Sequence, residues 1–304
     1  MRVFIIGVSG YIGGTVADRL LKAGHTVSGL ARSPGKAAQL EERGITPVRG
    51  SMTDLSVIQQ AARDADAVIN AANSDEASVV RALCTAMENS GKALLHTSGT
   101  SVAADAAMGE AGTGIRFTED MPLRTLPERL MRVAIEQHVL TACGHGVRGI
   151  VIRPALIYGR GTGLNPYSHQ VPTLAGLARE RGRPVHVGRG LAAWSNVHID
   201  DVADLFVRAL DASPAGHVYF AADGDCTWRD LAVHIGQALG QSGGPESLPL
   251  AEALERLGAA AVTSFSSNSL VSSDKARMML GWSPAGPSLT DQLASDPAWP
   301  EPMS

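Results

Sequence analysis

The 304-residue chain holds only three cysteines, and Cys84, Cys143 and Cys226 stand far apart without CxxC or Cys/His ligand spacing. That argues against a disulfide framework and against a zinc site. The three thiols read instead as small buried apolar residues. Aromatic residues are scarce at 4%, and nowhere is there a run of ~18 apolar residues long enough to span a bilayer. Val3 to Ile6 is the only large apolar run before Gly7, too short for the core of a signal peptide, so the expected location is cytoplasmic. Basic blocks are missing too. With a formal net charge of −4 and only scattered pairs such as Arg181 with Arg183, nucleic acid is not an expected partner.

Glycine is what the chain has in quantity, 33 residues, alongside a hydrophobic share of 44%. The length suits one large α/β body carrying a smaller lobe. Val3 to Ile6 is a continuous apolar run, as in a central parallel strand covered on both faces. Ile12, Val16, Leu20 and Ala23 then recur at helical spacing, Gly24 supplies a stop, and His25 to Leu30 resumes strand character. The alternation continues through Asp66–Asn70 (strand), Glu76–Gly91 (helix), Ala93–Thr97 (strand), Thr125–Cys143 (helix) and Gly149–Ile152 (strand). It predicts a doubly wound parallel sheet, Rossmann-like in form. Beyond Tyr158 come Gly- and Pro-rich stretches, a helical piece at Val171–Arg181, a helix at Asp200–Ala212 and a strand at Val218–Ala221. Two further helices follow at Thr227–Gly240 and Leu248–Leu257. The expected division is a dinucleotide-binding body at 1–163, with 196–222 returning to it, and a substrate lobe at 164–195 and 223–304. Ser295 to Ser304 has few anchors and is expected to be poorly ordered.

Gly7-Val8-Ser9-Gly10-Tyr11-Ile12-Gly13 sets three glycines between the first strand and the first helix. Gly7 takes a turn that a β-carbon would hinder, Gly10 lets a pyrophosphate approach the main chain, and Gly13 lets helix and strand close up. The helix N-terminus adds unpaired N–H groups and a positive dipole end. After the second strand comes Arg32-Ser33, where a site for the unphosphorylated dinucleotide would usually place a carboxylate on the ribose 2′-hydroxyl. Arg32 can pair with a 2′-phosphate and Ser33 can donate to it, so the expected cofactor is NADP(H).

These features resemble the short-chain dehydrogenase/reductase superfamily, in particular its extended branch of NAD-dependent epimerase/dehydratase-like proteins. Gly50-Ser51-Met52-Thr53-Asp54 resembles the segment that brings an aspartate near the adenine, and Asn70-Ala71-Ala72 the stretch that packs on the cofactor. Arg153-Pro154-Ala155-Leu156-Ile157-Tyr158-Gly159 is similar to the branch's RPxxxYG, and Asn196 to Ala203 contains its VHIDDVA element. The resemblance implies a cofactor-contacting set of Gly7, Ser9, Gly10, Tyr11, Ile12, Arg32, Ser33, Ala71, Ala72 and Pro154. It also implies a substrate cleft lined by Thr100, Tyr167, His169, Trp194 and Asn268.

The superfamily's catalytic residues are a serine or threonine after the fifth strand and a tyrosine and lysine spaced YxxxK on the next helix. Thr97-Ser98-Gly99-Thr100 matches the first part, with Ser98 placed to hydrogen-bond a substrate oxygen. The spacing sets Glu128 in the tyrosine's place and Arg132 in the lysine's. Glu128 also reads as the end of a capping box, Thr125-Leu126-Pro127-Glu128, and Glu128, Arg132 and Glu136 as an i, i+4 surface ion-pair ladder. An ionised Glu128 has no proton to give, so Tyr158, Tyr167 and His169 are alternative acids. The expected cleft has Ser98 and Tyr158 as its floor and Asn165–Pro172 with Arg189–Asn196 as its cover. His138 and His234 read as structural, and His198 as a hinge contact.

Three functions remain open at this level. The first is an NADPH-dependent oxidoreductase acting on a carbonyl, imine or activated double bond of a small metabolite. The second is a non-redox or cofactor-retaining epimerase, dehydratase or lyase on the same fold, and the third an NADP-sensing regulatory protein without catalysis. Substrate identity, reaction direction and oligomeric state stay open, a homodimer among the options.

Overall fold

A computed structural model describes residues 1–296. Its main sheet takes strands β1 (Arg2–Ile6), β2 (Thr26–Ala31), β3 (Thr46–Arg49), β4 (Ala67–Asn70), β5 (Ala93–Thr97) and β6 (Arg148–Pro154), and later β10 (His217–Ala221). The other strands are β7 (Leu156–Tyr158), β8 (Val185–Val187), β9 (Ala193–His198), β11 (Gly224–Thr227) and β12 (Glu246–Leu248). The principal helices are α1 (Tyr11–Lys22), α2 (Pro34–Glu41), α3 (Leu55–Asp64), α4 (Ala77–Met87), α5 (Leu130–Thr141), α6 (Gln170–Arg181), α7 (Ile199–Ala212) and α8 (Trp228–Ala238).

The main sheet runs β10-β6-β5-β4-β1-β2-β3, with every pairing parallel. The expected Rossmann-like sheet is therefore present, and α2, β3 and α3 fill the stretch between the second and fourth strands. Strand alternation explains the two layers on its faces. Val3 and Ile5 join Val16, Leu20, Phe206 and Leu210 of α1 and α7 in one buried cluster. Phe4 and Ile6 join Ile58, Leu83 and Val139 of α3, α4 and α5 in the other. Strand order reverses at β1, which pairs with β2 on one side and β4 on the other. Ligands of open α/β sheets sit beyond the carboxyl ends of the strands at such a point.

A third cluster gathers Leu174 and Ala178 of α6 around Trp194, Trp228, Leu231, Ile235 and Phe265. Two small sheets accompany it, β11-β9-β7 and β12-β8. Strand β7, which follows β6 after a single residue, pairs with β9 and not with the main sheet. It thus links the segment ending at 163 to the segments beyond. The weak order expected of Ser295–Ser304 falls mostly on 297–304, outside the described residues; Ser295 itself closes a helix at Leu289–Ser295.

The helix expected over Thr125–Cys143 is shorter than its sequence signals. Leu130–Thr141 is α-helical, and Pro127–Arg129 is a 3-10 turn before it. The capping box does not form, because the Thr125 hydroxyl donates to the Val102 carbonyl at 2.7 Å instead. Nor does the surface ladder. Glu136 is fully buried and forms a two-pronged ion pair with Arg153, Nε to Oε1 at 3.0 Å and Nη2 to Oε2 at 2.5 Å, which fastens α5 to β6. The Arg153 guanidinium also lies over the Phe220 ring, 5.4 Å from its centroid.

Candidate active site

The glycine turn has the shape the sequence requires. Gly7 has φ +86°, and a β-carbon there would lie 2.5 Å from the Ala71 carbonyl oxygen. At Gly13 a β-carbon would lie 2.3 Å from the Gly7 carbonyl oxygen. Side chains at either position would push apart β1, β4 and α1. Gly10 is the N-cap of α1 and offers no side-chain cap to the first-turn N–H groups. A cradle of this kind, open at the helix N-terminus, fits a pyrophosphate. Tyr11 is buried beside it and donates its hydroxyl to the Gly159 carbonyl at 2.7 Å; burial holds its pKa well above the usual tyrosine value.

At the far end of the adenosine side, Arg32 is exposed, and no side chain among the described residues pairs with it. Ser33 is the N-cap of α2 and accepts from the Lys36 N–H at 3.2 Å. The serine therefore has a structural task, leaving its own O–H free to donate. Register adds a second cation: Ala31 at the end of β2 pairs with Arg49 at the end of β3. Asp54 is engaged locally as an acceptor from the Ser51 N–H and Oγ, which hold its carboxyl below the usual range.

A cleft of about 600 Å³ opens beside the glycine turn, and both the sheet ends and the later segments line it. From the sheet side come Tyr11, Ile12, Ala71, Ser98, Thr100 and Pro154; from the other come Asn165, Tyr167, Ser168, His169, Gln170 and Trp194. Ser9, Gly10 and Ala72 lie on the adjoining turns and not on the cleft wall itself. The Ser98 main-chain N–H donates to the Ile152 carbonyl at 2.8 Å, so the parallel ladder between β5 and β6 sets its position. Among the described residues its buried hydroxyl has no partner, and the same holds for Thr97 Oγ1 and Thr100 Oγ1. Buried polar atoms are ordinarily satisfied. Of these three, Ser98 and Thr100 line the cleft, and an oxygen-bearing ligand bound there would satisfy them.

Several sequence-derived positions fall elsewhere. Tyr158 does not form the floor: its hydroxyl donates to the Pro287 carbonyl at 2.9 Å and its ring packs edge-on against His198. Alternation along β7 turns Tyr158 away and brings Ile157 to the cleft. Burial first, then nearby carboxylates such as Asp201, raise the Tyr158 pKa, and its direction away from the lining is what removes it as an acid for this cleft. Asn268 is also withdrawn. Its amide donates to the Asp105 carboxylate and the Ala111 carbonyl and accepts from the Ala193 N–H, clasping three segments together. Glu128 is exposed and lies outside the lining. His198 is the N-cap of α7, where its ring accepts from the Asp200 N–H.

Arg132 does reach the cleft. It forms a two-pronged pair with Asp75 at 2.8 and 2.6 Å and a weaker contact to Ser101 Oγ at 3.3 Å. The pairing lowers the Asp75 pKa. Behind it, His96 is buried at the end of β5 with Nδ1 3.2 Å from the Asn70 amide nitrogen and Nε2 without a partner. Burial, aided by the Arg132 charge, lowers its pKa to about 4, so the ring stays neutral. Neither His96 nor the cleft-lining Arg129 was picked out by motif reading, since each belongs to no motif. On the cleft rim, Tyr167 carries the Arg160 guanidinium over its ring at 5.8 Å. His169 packs near Phe265, and partial burial holds its pKa below the usual histidine value although the residue as a whole is exposed.

The fold and the glycine cradle define a dinucleotide-binding α/β protein with a cleft at its switch point. The chain belongs to the NAD dependent epimerase/dehydratase family, whose model matches residues 3–222. A nicotinamide dinucleotide is the cofactor that membership implies, and the cradle fits it. An uncharacterized protein of Schizosaccharomyces pombe is 32% identical, covering 97% of this chain and 99% of its own. A 2-alkyl-3-oxoalkanoate reductase of Stenotrophomonas maltophilia is 28% identical over 79% of this chain and 76% of its own. Among solved structures, dTDP-glucose 4,6-dehydratase of Bacillus anthracis in complex with NAD superposes with a TM-score of 0.79 at 17% identity, covering 98% and 96% of the two chains. Among the described residues no helix is long and apolar enough to cross a membrane.

Proposed function

We propose that the protein is an NADPH-dependent oxidoreductase that reduces a carbonyl, imine or activated double bond of a small molecule. The observation that carries this reading is the unpartnered, buried Ser98 hydroxyl lining a cleft that begins at the glycine cradle. Similarity to a reductase of oxoalkanoates supports it.

The bound nicotinamide would supply hydride. Ser98 donates its hydroxyl proton as a hydrogen bond to the acceptor oxygen, where negative charge develops. Thr100, which also lines the cleft, stands beside it with an unpartnered hydroxyl. Arg132 keeps a positive charge near this end of β5, but as a guanidinium it cannot lose a proton near neutrality. The final proton therefore comes from Tyr167, His169 or solvent at the open rim, and not from Glu128 or Tyr158.

The preference for the phosphorylated cofactor rests on Arg32, with Arg49 and Lys36 adding positive charge nearby and no acid at the end of β2. Arg32→Asp is expected to weaken NADPH by on the order of a hundredfold, from loss of a charge-assisted pair and gain of a repulsion, while NADH changes by less than about threefold. Calorimetric titration of both cofactors checks this; equal losses for the two would refute the assignment.

One observation favours cofactor retention as a second reading. The loop after β7 is fastened to α1: Thr162 N–H donates to Thr15 Oγ1 at 3.2 Å, and Gly163 lies so close to Gly14 that a β-carbon on Gly14 would come within 2.6 Å of its Cα. A loop held on the phosphate-binding helix would slow cofactor exchange, as an epimerase or dehydratase needs. Cofactor that survives purification and fails to exchange with added NADPH would favour that reading.

A further inference from the structure

Two guanidinium groups line the cleft, and only one of them is neutralised. Arg132 is matched by Asp75. Arg129, three residues earlier, has no carboxylate within ion-pair distance among the described residues. Among the described residues its side chain makes one hydrogen bond, from Nη2 to Thr263 Oγ1 at 2.9 Å, and its Nε is buried with no acceptor. Nearby Glu128 is exposed to solvent, and Asp75 already holds Arg132. Partial burial, with the charge of Arg132 beside it, lowers the Arg129 pKa, yet a guanidinium remains protonated throughout the ordinary range. A half-buried cation at a cleft wall is costly without a counter-charge, which an anionic ligand in the cleft would supply.

The position of Arg129 says which ligand. Thr263 ends the short helix Ala260–Thr263, and Ala260 and Ser264 line the cleft beside it. Arg129 thus braces the later segments, whereas the pyrophosphate cradle lies at Gly7–Gly13. Trp194, Tyr167 and Ile157 give the intervening wall an apolar and aromatic character.

We infer that the substrate carries a carboxylate or similar oxyanion, held by the Arg129 guanidinium, on an apolar body whose reacting group lies against Ser98. This rests on the reductase reading for the identity of the reacting group, but the anion site is testable without turnover. The measurement is a calorimetric titration of the NADP⁺-saturated protein with phenylacetate and, separately, with phenylacetamide. Wild-type protein is expected to bind the carboxylate at least about tenfold more tightly, the scale of one charge-assisted bond. Arg129→Gln should erase that preference while leaving the amide and NADPH affinities unchanged; Arg129→Lys, which keeps the charge without the fork, should retain part of it. Equal binding of acid and amide to the wild type, binding of neither, or a parallel loss of NADPH affinity in Arg129→Gln would overturn the proposal. If the acid preference holds but NADPH neither binds nor is oxidised, the anion site stands and the reductase reading falls.

Discussion

Glu136→Gln is expected to lower stability by about 3–5 kcal/mol, seen as a fall in Tm of roughly 10 °C. Arg153 is 4% exposed and Glu136 is fully buried, so the substitution leaves a guanidinium inside the protein without its counter-charge. The cation–π contact with Phe220 supplies only a small part of that compensation. Replacing both partners, Glu136→Leu with Arg153→Met, should cost less than either single change, because no charge is then left alone. A thermal or denaturant unfolding series on the singles and the double variant makes the comparison. A single-variant loss below about 1 kcal/mol would show that the pair is not isolated from water as the geometry states.

Ser98→Ala is expected to reduce the turnover number for carbonyl reduction by about 10²–10³-fold, the scale of losing one oxyanion donor. Folding and NADPH affinity should hold, since the Ser98 hydroxyl has no partner among the described residues and its main-chain bond to Ile152 survives the change. Glu128→Gln should leave turnover within about threefold of wild type, because Glu128 lies outside the cleft. Steady-state rates on the two variants decide between them. Abolished turnover in Glu128→Gln, with cofactor affinity intact, would return that carboxylate to the chemistry and displace Ser98 from its central place.

What could be read from sequence was whatever local sterics dictate. Gly7 and Gly13 announce a turn because no other residue fits between β1, β4 and α1, and the apolar run at Val3–Ile6 announces a strand covered on both faces. The rest depended on partners distant in the chain. The i, i+4 spacing of Arg132 and Glu136 correctly puts them on one side of a helix, yet it carries no word of Asp75 or Arg153, the residues they meet. A Thr-Leu-Pro-Glu signal is a cap only if its threonine is free, and here the Thr125 hydroxyl is drawn to Val102. Tyr158 was misplaced because the direction of a side chain in a three-residue strand follows its pairing, and β7 pairs with β9. Asn268 looked like a cleft residue because its clasp to Asp105 spans 163 positions. Arg129 carried no motif at all, and only its unmatched charge in the assembled cleft marks it.

The most direct test of the account is hydride transfer itself. NADPH deuterated at the transferable nicotinamide position is mixed with the protein and a panel of oxo acids, and the products are examined by mass spectrometry while loss of NADPH absorbance is followed. The account predicts deuterium on the reduced carbon of at least one oxo acid, with one NADPH consumed per product and labelled product forming about 10²–10³-fold more slowly in Ser98→Ala. Products that form without label or net NADPH oxidation, from protein that retains its cofactor, would contradict it and place the chain among the cofactor-retaining enzymes of its family.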